Sequence, residues 1–380
     1  MGRTALDIAD IVRIHRLDLE TVQPLSPEQG RALSAIALCR TAALGGHQGV
    51  CLECDLKADP SYNSCRNRNC PKCQALAQER WIANRARTIL PVPHFHGVFT
   101  LPENFRALAR LYPREIYAAM FSSTIAALLD LARSRLGIVP GLTLVLHTWT
   151  RELAFHPHLH VLISAGGLIL DGSAFKRVHD KFLVHVKPLA KRFKTHMMDA
   201  LRALKTAGVL EMAAGAFGGL MASLWNQDWN VHVKKAFRSS SLVLKYLGRY
   251  THRVGIANSR LLDVNSSQVT FRTKCGRKIS LPPVTFLRRF LQHVLPDGFK
   301  KIRHAGLYAA FKALAKAKAI LGTPEAPPPT QPTWQEALLT LTGVDAMRCR
   351  GCGALLAQSI LLPARIHSRR PRAAIPRSPP

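Results

Sequence analysis

The sequence predicts an α+β protein with an antiparallel sheet, because strands alternate with helices and neighbouring strands are joined by short turns. The stretch "FHPHLHVLI", Phe155 to Ile163, alternates polar and apolar residues with the period of two that marks a half-buried strand. "QVTFRTKCGRKISL" predicts a hairpin, and "VKPLAKRFKTHMMDALRAL" has the spacing of an amphipathic helix with basic residues along one side. These patterns together predict a sheet flanked by helices.

The N-terminal region has helical spacing from Ile8 to Arg16, from Pro27 to Leu38, and again from Gln74 to Ile89. Two C-x2-C pairs lie between the last two of these segments. Each pair forms a tight turn that directs two thiolates at one ion, and two such turns complete a closed tetrahedral zinc site. We therefore predict a helical zinc-binding domain over residues 1–90, with structural Zn²⁺ on Cys51, Cys54, Cys70 and Cys73; the strongly basic charge of the chain, +30, predicts that this domain also binds DNA.

Other cysteines leave the number of zinc ions open. A second site in the same window could use Cys39, His47 and Cys65, although it would need a fourth ligand. Cys349-x2-Cys352, in "RCRGCGALL", resembles half of a zinc knuckle without a visible partner pair, so metal binding and an ordinary thiol pair are both open there. With no export signal visible, the nine cysteines argue for metal rather than disulfides.

The charge of the chain indicates a polyanionic partner. Lys and Arg number 53 against 23 Asp and Glu, a formal net charge of +30. Such an excess gives salt-sensitive affinity for nucleic acid phosphates. Arg66 and Arg68 lie between the cysteines, where they suit phosphate contacts or simply form a solvated surface. No signal peptide or transmembrane helix is predicted, so we expect a cytoplasmic, nucleoid-associated protein with no membrane partner.

The second predicted domain covers residues 91–321 and alternates strands with helices. Its strands are expected near Phe95–Leu101, Leu142–Trp149 and His158–Ile163, with a hairpin turn at Gly166 and Gly167. A proline-rich linker follows at 322–334. Residues 335–380 then predict a short helix, the lone C-x2-C and a disordered basic tail.

The histidines of "FHPHLHVLI" share one face of the predicted strand. Pro157 cannot donate to a sheet ladder, so regular pairing is expected to begin near His158, which favours His158 and His160 as a pair able to bind one metal ion. A half-exposed strand with a polar face is the alternative. Glu152 and His156 are the candidates for a third ligand. The similar pair in "PVPHFHGVFTLP" is interpreted as incidental.

Two tyrosines in "LVLKYLGRYTHRVGIAN", Tyr246 and Tyr250, lie four residues apart and would share one face of a helix. An aromatic pair in the core would have the same spacing. However, the cations around them disfavour full burial; these are Lys245, Arg249 and Arg253.

At this point the sequence resembles a family, the rolling-circle insertion-sequence transposases of the HUH endonuclease superfamily, two-tyrosine type with an N-terminal zinc-binding domain. "SYNSCRNRNCPKCQ", "LHTW", "FHPHLHVLI", "KYLGRYTHRVGIAN" and "FLRRFLQHVLPDGFKKIRHAGL" occur in family order over roughly residues 30 to 310. One departure is Asn69 where such proteins have a histidine before the cysteine. The resemblance implies an HUH-type catalytic domain with a central antiparallel sheet flanked by helices.

The resemblance also implies an activity. Tyr246 and Tyr250 take the positions of the nucleophiles that cleave single-stranded DNA, and His158 and His160 take those of the ligands of a divalent metal, Mg²⁺ or Mn²⁺. Nearby cations would favour the phenolate, and the more polar setting of Tyr250 favours it as the first nucleophile. Two other classes remain open: a non-catalytic zinc-dependent DNA-binding protein, and a zinc hydrolase, although that class lacks its usual carboxylate here.

Overall fold

The computed structural model describes residues 6–179, 184–237, 248, 255–323, 332–356 and 358–365. The chain divides into two compact units. The first unit combines residues 1–76 with 332–380, and the second comprises residues 77–331. The C-terminal segment, expected to be a separate helix and tail, therefore groups with the N-terminal residues.

The elements of the described residues are numbered here in chain order. The helices are α1 (Ile8–Val22), α2 (Pro27–Leu38), α3 (Gln74–Thr88), α4 (Arg106–Leu111), α5 (Pro113–Leu131), α6 (Val186–Thr206), α7 (Ala214–Trp225), α8 (Pro283–Leu291), α9 (Phe311–Ile320) and α10 (Trp334–Thr342). The strands are β1 (Gly46–Val50), β2 (Ser61–Tyr62), β3 (His94–Thr100), β4 (Ile138–Trp149), β5 (Phe155–Ile169), β6 (Phe175–Arg177), β7 (Val231–Phe237), β8 (Leu261–Val264), β9 (Val269–Arg272), β10 (Lys278–Leu281), β11 (Ile302–Gly306) and β12 (Gln358–Leu362).

The first unit begins with two helices that have well-defined starts. The Asp7 carboxylate caps α1 by accepting a hydrogen bond from the Ala9 amide, and Ser26 forms a capping box with Gln29 at the start of α2. Caps of this kind contribute about 1 kcal/mol each. The rest of the unit contains a small sheet in which β12, from the C-terminal segment, pairs with β1, and β1 pairs with β2.

The second unit is built on an antiparallel sheet with the order β11-β4-β5-β3-β7, and β6 pairs with β5. Helices α5 and α6 pack on each other and on the sheet, where they bury large apolar side chains such as Phe121 and Phe193. The predicted α+β class with a central antiparallel sheet flanked by helices is confirmed.

The long strand β5 has the predicted alternation. Leu159, Val161 and Ile163 are at most 1% exposed and belong to the main hydrophobic core. The histidines occupy the opposite face, as the period of two requires. Pairing with β4 shifts register between His147 and Trp149, so the ladder is regular from His158 to Ile163, and its start agrees with the expectation from Pro157.

The predicted hairpin turn at Gly166 and Gly167 is wrong. The strand continues through both residues to Ile169, and Leu168 pairs with Val139. A Cβ at Gly167 would lie 2.2 Å from the Val139 carbonyl oxygen, so glycine is needed for the close approach of β4 rather than for a turn.

Other predicted elements agree with the structure. The basic amphipathic segment forms α6 from Val186 to Thr206. "QVTFRTKCGRKISL" forms the β9–β10 hairpin, to which β8 adds a third strand.

Within the part of the chain that the structure describes, one helical run, Pro113–Leu136, is long and apolar enough to cross a membrane by length and composition alone. Its most apolar window is 61% buried inside the protein, and its buried side chains include Met120 and Phe121 in the core beneath the sheet. Core helices meet the same criterion, so the run is weak evidence for a membrane span.

Candidate metal and DNA-processing site

Three histidines come together on the polar face of the central sheet. His147 on β4 lies directly opposite His158 on β5, and His160 follows two residues later on the same face. One ring nitrogen from each lies within 4.8 Å of the others. Three imidazoles at this spacing can share one metal ion.

Hydrogen bonds orient two of these rings. The Nδ1 atom of His158 lies 2.8 Å from the His156 carbonyl oxygen, which can only accept, so Nδ1 carries the proton and Nε2 keeps a lone pair. The Nδ1 atom of His160 lies 2.9 Å from Nε2 of His96 on β3. His160 can bind a metal through Nε2 in the tautomer whose Nδ1 donates to His96.

Burial keeps the rings of His158 and His96 neutral. It lowers the pKa of His158 to about 4, and it lowers the pKa of His96 to about 4 with help from the nearby charge of Lys234. Both imidazoles are therefore unprotonated at neutral pH, which is the form that binds metal.

His147 is the third histidine of the cluster, whereas the third ligand expected from the sequence is Glu152 or His156. The Glu152 carboxylate forms an ion pair with Arg277 at 3.0 Å. His156 supplies its backbone carbonyl to His158 and lines the cleft beside the cluster. The motif "LHTW" contained His147, but only the register of β4 against β5 makes it part of the cluster.

The pair in "PVPHFHGVFTLP" is not incidental in the structure. His96 hydrogen-bonds to the ring of His160 and stacks on it. The two ring centroids are 5.1 Å apart, and the ring planes are nearly parallel. His94 is fully buried and hydrogen-bonds to the Tyr308 hydroxyl. Neighbouring strand pairing, which the sequence does not reveal, brings His96 to the cluster.

A cleft of about 360 Å³ opens over the histidines and is lined by cations. Arg151, Arg260 and Lys274 contribute to its wall. The Arg260 guanidinium is fixed by donation to the carbonyl oxygens of Arg272 (2.6 Å) and Arg151 (2.9 Å). Trp149 also lines the cleft and stacks on His147 at 4.6 Å between ring centroids. The cleft thus offers positive charge and an aromatic face.

The predicted nucleophiles and their cations lie outside the described residues; these are Lys245, Tyr246, Arg249, Tyr250 and Arg253. Gly248, between the two tyrosines in sequence, is described as helical and buried. A Cβ at Gly248 would lie 2.4 Å from the Ile82 Cδ1 atom of α3. The chain therefore approaches α3 closely at Gly248.

The cysteines of the first unit form two groups of four, and the ligand sets differ from the predicted ones. In each group the sulfur atoms lie within 4.8 Å of one another. Cys70 and Cys73 lie with Cys39 and Cys65, whereas Cys51 and Cys54 lie with the C-terminal pair, Cys349 and Cys352. His47 lies outside both groups, on β1 beside the Ser359 hydroxyl.

The first group, at the end of α2 and the start of α3, has short sulfur–sulfur distances. Cys73 Sγ is 3.1 Å from Cys39 Sγ and 3.6 Å from Cys65 Sγ. Tetrahedral zinc with Zn–S bonds of about 2.3 Å separates its sulfur ligands by about 3.8 Å, so the group fits one ion. Arg66 is exposed on the loop between Cys65 and Cys70, where its φ is +54°.

Comparison with known proteins identifies the class. Residues 11–101 match the family described as "Transposase zinc-binding domain", and residues 141–315 match the family described as "Putative transposase". Both matched regions are transposase domains. The three-histidine cluster is made of β4 and β5 residues, which lie inside the second matched region.

Curated relatives extend the similarity over nearly the whole chain. A protein named "Putative transposase y4qJ", from Sinorhizobium fredii (strain NBRC 101917 / NGR234), is 36% identical over 375 residues, covering 93% of this chain and 94% of the relative. A "Transposase for insertion sequence element IS801", from Pseudomonas savastanoi pv. phaseolicola, is 29% identical and covers 77% of this chain and 73% of the relative. No solved structure matches the chain. The chain belongs to the IS91-type family of two-tyrosine, rolling-circle insertion-sequence transposases.

Proposed function

We propose that this transposase nicks and rejoins single-stranded DNA through a covalent 5′-phosphotyrosine intermediate during rolling-circle transposition. The observation that supports this most directly is the cluster of His147, His158 and His160 beside the fixed guanidinium of Arg260. Metal ligands and a phosphate-binding cation in one cleft are what phosphodiester cleavage needs. We propose that this cleavage and rejoining take place on DNA in the cytoplasm, at the nucleoid.

The three imidazoles would hold a divalent cation, which supplies Lewis-acid stabilisation of charge on the scissile phosphate. Imidazole ligands bind first-row transition metals more readily than Mg²⁺, which prefers oxygen ligands. We therefore propose Mn²⁺ or a similar ion over Mg²⁺ for this set of ligands. Arg260 and Lys274 would contact phosphate oxygens directly.

The covalent step exchanges one phosphoester bond for another and needs no co-reactant. The phenolate oxygen of Tyr250 attacks phosphorus, a new P–O bond forms, and the bond from phosphorus to the 3′ oxygen breaks. The departing oxygen takes a proton and becomes a free 3′ hydroxyl. Because the phosphotyrosine conserves the energy of the broken bond, a 3′ hydroxyl can later attack it and rejoin strands without ATP. Tyr246 would perform the second transfer.

The first cysteine group would bind one structural Zn²⁺ through Cys39, Cys65, Cys70 and Cys73, in agreement with the match to a zinc-binding domain. The ion would fix the loop that carries Arg66 and Arg68, which we propose contact DNA phosphates. Single strands are preferred because bases can stack on aromatic faces such as that of Trp149 while cations follow the backbone.

The test is covalent capture. The full-length protein is incubated with labelled single-stranded oligonucleotides that carry the ends of its DNA element, with Mn²⁺ or Mg²⁺, and resolved under denaturing conditions. We expect a protein–DNA adduct that His158→Ala and His160→Ala greatly reduce, whereas His185→Ala, an exposed histidine at the start of α6, leaves it unchanged. Strong DNA binding with no adduct under any condition would instead support the non-catalytic DNA-binding protein.

A further inference from the structure

The first unit contains two hairpins of the same construction, nearly 300 residues apart in sequence, which we call the cysteine hairpins: Val50–Lys57 and Arg348–Leu355. In each hairpin, one antiparallel bridge joins the first residue to the last. In each, the amide of the first cysteine donates to the carbonyl oxygen five residues later, from Cys51 to Leu56 at 3.0 Å and from Cys349 to Ala354 at 2.8 Å.

The resemblance extends to the backbone and to burial. The residue four positions after the first cysteine has a left-handed conformation in both hairpins, with φ of +53° at Asp55 and +76° at Gly353. Aspartate and glycine are residues that tolerate this region. The first cysteine of each pair is buried and the second is exposed. Two turns of this kind, facing each other, are how paired C-x2-C motifs bind a single ion.

The four thiols of the cysteine hairpins face one another across the unit. Cys51 Sγ lies 3.4 Å from Cys352 Sγ, and Cys54 Sγ lies 3.6 Å from Cys349 Sγ. A disulfide requires about 2.05 Å, whereas sulfur ligands of one tetrahedral zinc ion lie about 3.8 Å apart. The observed distances match shared coordination and exclude covalent pairing.

The surrounding structure brings the two hairpins together independently of the sulfur atoms. Strand β12, which follows the second hairpin, pairs with β1, which precedes the first, over five residue pairs from Gly46–Leu362 to Val50–Gln358. A Cβ at Gly45 would lie 2.6 Å from the Leu362 carbonyl oxygen. A Cβ at Gly49 would lie 2.9 Å from the Leu356 Cδ1 atom. Glycines on the N-terminal side therefore accommodate the C-terminal strand.

We propose that Cys51, Cys54, Cys349 and Cys352 bind a second zinc ion, separate from that of the other cysteine group. This ion clamps the C-terminal segment of the first unit onto its N-terminal residues. The lone C-x2-C of the sequence is then half of a site whose other half lies near the N-terminus. Residues 11–101, the part that matches a zinc-binding domain, do not contain Cys349 and Cys352, so that domain is completed only when the C-terminal segment docks. The site is independent of the proposed cleavage chemistry.

Metal content of the full-length protein tests the site. Inductively coupled plasma mass spectrometry should show that Cys349→Ser/Cys352→Ser has lost one equivalent of zinc relative to the unchanged chain. The control is Cys275→Ser, since Cys275 is exposed in the second unit and its thiol lies 3.1 Å from the Thr273 hydroxyl; it should lose none. Equal zinc in the double variant and the unchanged chain, or iron in place of zinc, would overturn the proposal.

A second experiment reports on the clamp and does not depend on activity. A specific protease site is inserted between residues 323 and 332, and the purified protein is cleaved and analysed by size-exclusion chromatography. The C-terminal fragment should co-elute with the rest of the chain and separate after zinc is chelated. The Cys349→Ser/Cys352→Ser protein, which retains the other cysteine group, should release the fragment without chelation. A fragment that stays bound after zinc is measured to be gone would contradict the clamp.

Discussion

The close contact between Gly248 and the Ile82 side chain can be tested by substitution at both positions. In Gly248→Ala, the new methyl group would lie 2.4 Å from Ile82 Cδ1 and 2.8 Å from Ile82 Cγ1. Carbon atoms in contact are normally about 3.5–4.0 Å apart, so the backbone must move by about 1 Å or Ile82 must change rotamer. Overpacking of this kind costs about 1–3 kcal/mol.

The expected consequence is functional, because Tyr246 and Tyr250 flank Gly248 in sequence. Displacement of a reacting group by about 1 Å can lower a rate by about 100-fold, equivalent to about 2.7 kcal/mol of activation free energy. We therefore expect Gly248→Ala to slow adduct formation on single-stranded DNA by about 10- to 100-fold. The rate is measured by quenching the covalent-capture reaction over time, with DNA affinity measured separately.

A second substitution makes the test specific. Ile82→Ala removes both clashing atoms, so Gly248→Ala/Ile82→Ala should recover most of the rate that Gly248→Ala loses. Gly219→Ala is the matched control, since a Cβ at this helical glycine has no heavy atom within 4 Å and should leave the rate unchanged. The reasoning fails if Gly248→Ala reacts at the original rate, or if removing the Ile82 side chain restores nothing.

Three further predictions concern the histidines and the nucleophiles. His96→Gln should weaken Mn²⁺ binding by about 10- to 100-fold in calorimetric titration, because His160 loses its orienting partner; His304→Gln, a histidine bound to the Thr143 hydroxyl away from the cluster, should not. Burial lowers the pKa of His293 to about 3, so the folded protein resists its protonation while the unfolded chain accepts it below about pH 6.5. Stability should therefore fall between about pH 6.5 and 3, with about 2 kcal/mol from this group between pH 7 and 5; thermal melts in which His293→Gln has the same pH dependence would contradict this. Tyr250→Phe should abolish the first adduct with DNA affinity retained, whereas Tyr246→Phe should still cleave but fail to complete strand transfer; the reverse pattern would exchange their roles.

Much of the secondary structure could be predicted because its cause is local. The alternation in β5 follows from burying every second side chain against the core, and the start of regular pairing follows from the missing donor of Pro157. Helix α6 has an apolar stripe that is visible in the sequence. Gly166 and Gly167 misled the prediction because the same residue serves turns and close strand approach, and only the neighbouring strand β4 distinguishes the two uses.

The sequence predicts the residue types of the candidate metal sites, but it does not reveal which residues meet there. The sequence predicts that histidines of β5 and C-x2-C turns could bind metals, since ligand chemistry and spacing along one chain segment are local properties. The third imidazole, His147, and the positioning residue His96 come from neighbouring strands, and their registers are set by the packing of the whole sheet. In the same way, Cys51 and Cys349 meet only because β12 pairs with β1. Contacts between residues far apart in sequence depend on the tertiary fold, which no local pattern encodes.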